Sequence, residues 1–70
     1  MLPLHLCRPG ESGCIKKITG RDEIRRHLAE LGFVVGESCS VLAQNESGLI
    51  VMIKGSRIAL NGQTASRIMI

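Results

Sequence analysis

"HLAELGFVVGE", His27 to Glu37, is the stretch on which the fold of this chain turns. It holds the only aromatic residue of the sequence, Phe33, between Gly32 and Gly36. Just upstream, "RDEIRRHLAEL" reads as a helix, because Ile24, Leu28 and Leu31 recur at i, i+4 and i+7 and make one apolar stripe. Asp22 is placed to cap that helix, and Glu23 sits in the first turn, where the helix dipole favours an anion. Arg25, Arg26 and Glu30 fall on the outer faces. Gly32 follows the last stripe residue, where a chain leaving a helix commonly takes a positive φ that glycine adopts without steric cost. Gly32 is therefore expected to turn the chain back and let Phe33 pack beneath Ile24 and Leu28 as the plug of the core. Gly36 then redirects it into a strand.

Outward from this stretch the signals are those of short strands. Leu2, Leu4 and Leu6 alternate with Pro3, His5 and Cys7, which predicts a short edge strand limited by Pro3. "RPGESG" is a turn. In "CIKKITG" the apolar Ile15 and Ile18 stand three apart rather than two, which predicts a twisted or bulged strand. Cys39, Val41 and Ala43 alternate with Ser38, Ser40 and Leu42 up to the polar turn "QNESG". "LIVMI" and "RIAL" are two further strands, and Gly55-Ser56 between them suits a type II′ hairpin turn. "NGQTAS" is a turn with room for one helical turn, and "RIMI" is a last short strand. Sequential short strands with one helix, in 70 residues, predict a single domain that is mainly β with a helical insertion. The architecture expected is a small, strongly bent barrel with the helix over its opening. No βαβ alternation is present.

The opening stretch also resembles a known family. "LAELGFVVGE" is similar to the helix-to-strand junction of the FeoA family, Leu-x-x-Leu-Gly-(hydrophobic)-x-x-Gly, with Leu28, Leu31, Gly32, Phe33 and Gly36 in the pattern. "PGESGCIKKITG" resembles the family's opening strand, and "IVMIKGSRIALNGQTASRIMI" its closing hairpin, turn and final strand. The order and spacing of these motifs span nearly the whole chain. The resemblance implies an SH3-like β-barrel across residues 1–70 and a role as a small cytosolic partner of the bacterial ferrous-iron transporter FeoB. Such domains also end some metal-dependent repressors. With Met1 just before the domain and no room for a winged helix, the free-standing transporter partner is the expected member.

Composition bounds the function independently. At 44% hydrophobic and 21% charged, without low-complexity runs, the chain is that of a small folded protein. A net charge of +3 comes from nine scattered Lys and Arg, among them Lys16, Lys17, Arg21, Arg25, Arg26, Lys54, Arg57 and Arg67. That excess suits an acidic protein or membrane surface and is no dense nucleic-acid arm. "LIVMI" is far too short to span a bilayer, and the N-terminus has neither the basic nor the long apolar region of a signal peptide. Three irregularly spaced cysteines make no disulfide framework. The cytoplasm is the expected compartment.

Gly32–Gly36 is no phosphate loop, because such a loop precedes a helix and this one follows it. For metal, His5 and Cys7 on one strand face would have to join Cys14, His27 or Cys39, without any C-x-x-C or H-x-x-x-H spacing. The cysteines are instead expected to be small buried hydrophobes and His27 a solvated helix residue. No cofactor and no specific metal site are expected. Cys14 and His27 could be imagined as a nucleophile and base, yet nothing supplies an oxyanion hole, so catalysis is not expected. RNA binding is the alternative class for a small basic barrel, but it relies on aromatic stacking that one Phe cannot supply. Proline-rich recognition fails for the same reason. What remains is an interaction module. Arg25 and Arg26, the densest exposed positive pair, are the first candidates for transporter contacts, with Lys54 and Arg57 on the hairpin as the alternative.

Overall fold

Three strands carry most of the architecture: β3 (Ser38–Asn45), β4 (Gly48–Ile53) and β5 (Ser56–Asn61) form a continuous antiparallel meander. In the computed structural model, which describes all of Met1–Ile70, β4 shows why it is the centre. Leu49, Val51 and Ile53 alternate inward and are buried, while Ile50 and Met52 face the other side. β3 obeys the same rule through Cys39 and Val41, then slips register between Val41 and Ala43, so Leu42 bulges outward. β1 (Ser12–Cys14) joins the far side of β3, giving the order β1-β3-β4-β5. A second sheet pairs β2 (Lys17–Ile18) with β6 (Ile68–Met69).

The irregular spacing of Ile15 and Ile18 has its explanation here. The chain changes sheets between them. Ile15 N–H donates to Glu37 O at 2.8 Å, beside β3, and Lys16 N–H donates to Met69 O at 2.8 Å, beside β6. The expected bent strand is thus two short strands in two ladders, with Ile15 buried at the corner. No ladder joins the two sheets into one closed barrel.

α1 (Asp22–Leu31) ends as the sequence predicts and begins differently. Gly32 takes φ 108° and ψ 0°, its N–H donates to Ala29 O, and Phe33 N–H donates to Leu28 O at 2.9 Å. That pair of bonds is a Schellman ending, which places an apolar residue just past the glycine against one in the last turn. Phe33 and Leu28 fill those places, and both are completely buried in one core cluster with Ile24 packed against it. The N-terminus corrects the sequence reading: Arg21 is the capping position, without a side-chain cap bond. Asp22 is already helical and pairs with Arg25 at 2.8 Å. Leu31 also departs from its stripe and is 37% exposed, since the chain reverses directly after it.

Two other expectations are corrected. Leu2 exchanges backbone hydrogen bonds with Ile70, and Pro3 bridges Met69, but Leu4–Leu6 then winds into a 3₁₀ turn instead of continuing a strand. Leu4 and Cys7, three apart, are buried, whereas Leu6 is 58% exposed. A period of three is the 3₁₀ period, and it outweighs the Leu-x-Leu-x-Leu alternation. The β4–β5 hairpin turns on Lys54-Gly55, with Ile53 opposite Ser56, one residue earlier than expected. Lys54 (φ 49°) and Gly55 (φ 77°) are both left-handed, which is the type I′ combination rather than II′. The short helix α2 (Gly62–Ala65) is capped by Asn61, whose Oδ1 accepts from Thr64 N–H at 2.7 Å.

Gly48, at the start of β4, is a place only glycine fits. A Cβ there would collide with Leu60 O and come within 2.8 Å of Asn61 Cα. The thirteen residues of the core cluster are all apolar, and no polar or charged side chain is buried.

Candidate docking surface

The four candidate contact residues lie on the helix, at the hairpin tip and on β5. Arg25 and Arg26 are exposed on α1, Arg25 with the Asp22 carboxylate and Arg26 with no carboxylate in reach. Lys54 caps the hairpin tip, which the fold brings to the C-terminal end of the helix. A Cβ on Gly32 would stand 3.5 Å from Lys54 Cδ. An ammonium group near the free carbonyls of a helix end is favourably placed. Lys54 Nζ also lies 3.8 Å from Glu37 Oε1, at the loop leading into β3. Arg57 stands apart on β5, exposed and without an acidic partner.

Arg57 lines a shallow open groove of about 550 Å³ with Leu42, Ala43, Ile50 and Ala59. Its floor is the outer face of β3–β4–β5, where Ala43, Ile50 and Ala59 are consecutive cross-strand neighbours. Leu42 at 40% and Ile50 at 38% exposure are the large apolar groups on it. Alternation along "LIVMI" predicts that Ile50 and Met52 share a face. The β3 bulge that adds Leu42 to that face leaves no such sign in the sequence.

The metal-ligand candidates are dispersed. The 3₁₀ turn separates His5 from Cys7, so the shared strand face expected of them is absent: Cys7 is buried, and His5 is half-buried with Nδ1 unpartnered. Cys14, expected in the core, is exposed, as is His27 on α1. No three His, Cys, Asp or Glu side chains stand close enough to hold a metal ion. Burial, then the Cys7 thiol, push Cys39 up to about 11. Burial, then Glu11, raise Cys7 as well. Both thiols are therefore held protonated, the form that neither attacks nor ligates. Phe33 is buried completely, and with no Tyr or Trp in the chain no large aromatic ring is available for stacking on a ligand.

These features define a small β module with an apolar interior and its charged groups on the surface. A model of the FeoA domain matches residues 2–70. Over all of its length the chain is 30% identical to a candidate Fe(2+) transport protein A of Methanocaldococcus jannaschii, and it covers 85% of that protein. The crystal structure of an iron uptake regulatory protein, FeoA, superposes with a TM-score of 0.92 at 30% identity, over 97% of this chain and 92% of that one. Stenotrophomonas maltophilia FeoA complexed with zinc, described as a prokaryotic SH3 domain protein and a candidate activating factor of ferrous iron transport, superposes at 0.83 with 30% identity, over 99% and 88%. The chain belongs to the FeoA family, and its fold is SH3-like.

Proposed function

We propose that this chain is a non-catalytic accessory protein of ferrous iron uptake that works in the cytoplasm by binding the cytosolic part of the FeoB transporter. The observation that carries this reading, beside the family, is the division of the molecule into a wholly apolar interior and a charged exterior. Such a protein acts through its surface. Binding alters transport only if the affinity differs between transporter conformers, so docking shifts their populations. Arg25, Arg26, Lys54 and Arg57 supply the positive charge that steers the encounter, and none is held in a buried pair. Surface ion pairs such as Arg25–Asp22 are worth little and compete weakly with a partner. RNA is the less favoured partner, because the one Phe is enclosed and the chain has no Tyr or Trp to form a stacking platform for bases.

A pull-down from cells making FeoB, repeated across a salt titration, is the direct test. Recovery of the transporter, weakening as salt rises, is expected. RNA without the transporter would overturn the reading. Replacing both Arg25 and Arg26 with Glu should slow association with little change in dissociation. An unchanged on-rate would move the steering charge to Lys54 and Arg57.

A further inference from the structure

The four-stranded sheet is open along β5. That strand pairs with β4 alone. The two-residue turn Lys54-Gly55 makes Ile53 and Ser56 a hydrogen-bonded pair, and the pattern then alternates through Val51–Ile58 and Leu49–Leu60. Arg57 and Ala59, between those pairs, aim their backbone N–H and C=O groups away from β4. No hydrogen bond outside the regular ladders, from backbone or side chain, uses any of these four groups. Such a row is a template for another strand, and native proteins leave it uncovered at some risk.

The side chains beside this row are of one character. Arg57 and Ala59 are exposed and stand across the ladder from Met52 and Ile50. Ala59 is too small to wall off the groove, so the apolar floor made with Leu42 and Ala43 runs out to the edge. Arg57 is the one charge on it, and it has no carboxylate partner.

We propose that the β5 edge receives an extended segment of the partner as an added strand, with apolar side chains continuing over the groove and an acidic one meeting Arg57. Backbone hydrogen bonds then supply affinity, and alternate side chains supply selectivity. A docked helix would leave the row of backbone groups unanswered. A second copy of this chain brings its own charge of +3 and no acid on its β5 edge. The proposal deepens the docking reading and depends on it only for the partner's identity.

The test begins without the transporter. Isotope-labelled protein is titrated with a short blocked peptide in which valine and glutamate take successive positions of one strand face and threonine fills the other face (Val-Thr-Glu-Thr-Val), and with its lysine-for-glutamate counterpart. Expected are amide shifts concentrated on Ser56–Asn61 and a preference for the acidic peptide. Ala59→Pro removes an outward N–H without costing a ladder bond, and should weaken binding about tenfold. Arg57→Glu should reverse the preference between peptides, and this arm holds even if the proline variant does not fold. No shifts on β5, or equal binding of both peptides, would overturn the proposal. Amide exchange with the cytosolic part of FeoB completes the test, with protection expected at Arg57 and Ala59. Protection on α1 instead would sink the edge while leaving the partner standing. Peptide binding without transporter binding would do the reverse.

Discussion

Phe33 has no exposed surface with which to meet a partner, and its place explains why the two glycines flank it. Gly32 turns the chain in the left-handed region, and the Schellman bonds then hold Phe33 over Leu28. Phe33→Ala should cost ~3–5 kcal/mol by leaving a cavity in the core, against roughly 1 kcal/mol for Gly32→Ala. Urea denaturation gives both values. A Phe33→Ala protein with an unchanged melting curve that had lost partner binding would make the ring a contact residue instead. Cys39 carries a second consequence at this scale. Its thiol is raised from 9.0 to about 11 in the fold, so folding favours the protonated form. The sign follows from linkage: below pH 9 both folded and unfolded thiols keep the proton, and this contribution is full. Between pH 9 and about 11 the unfolded chain loses its proton first, and stability falls. Denaturation midpoints across that window should decline less steeply in Cys39→Ala than in the parent.

Among the elements, α1 and the β4–β5 hairpin were the most legible. A 3.6-residue stripe and a short unbroken apolar run are both local patterns, and a glycine follows close on each of them. What misled was also local. Leu-x-Leu-x-Leu at the N-terminus satisfies a strand, but Leu4 and Cys7 bury at a spacing of three because the core lies on one side of a turn. Gly55-Ser56 satisfies a type II′ turn, but the pairing of Ile53 with Ser56 forces Lys54 into the left-handed region. A lysine there is strained, and asparagine is the residue such a turn prefers. Lys54→Asn should stabilise the hairpin by about 0.5 kcal/mol net, since the 3.8 Å pair with Glu37 that it gives up is a weak surface contact. A lower melting temperature for this variant would mean that Lys54 contributes more at the end of α1 than that accounting allows.

For the molecule as a whole, the thirteen-residue apolar core is the source of cohesion, with no cluster of ligands to supplement it. A domain held by a structural metal unfolds when the metal is withdrawn. Thermal midpoints with and without EDTA, under reducing conditions, should therefore coincide. A large drop with the chelator would mean that a bound ion carries part of the fold.

Much of this protein is written in local order along the chain. The helix and its glycine ending, the strand meander and the buried ring each follow from periodicity or from backbone restrictions that act over a few residues. Family membership was legible for the same reason, because the resemblance lay in several short local motifs whose order and spacing span nearly the whole chain. Other features depend on residues far apart in sequence. The change of sheet at Ile15 depends on Glu37 and Met69 being its neighbours. The free edge of β5 depends on which strand has no neighbour beyond it, the bulge at Leu42 on how β3 registers against β4, and the exposure of Cys14 on what packs against β1. Burial and pairing are properties of the assembled sheet, and a pattern three or four residues long carries no record of what will lie across from it.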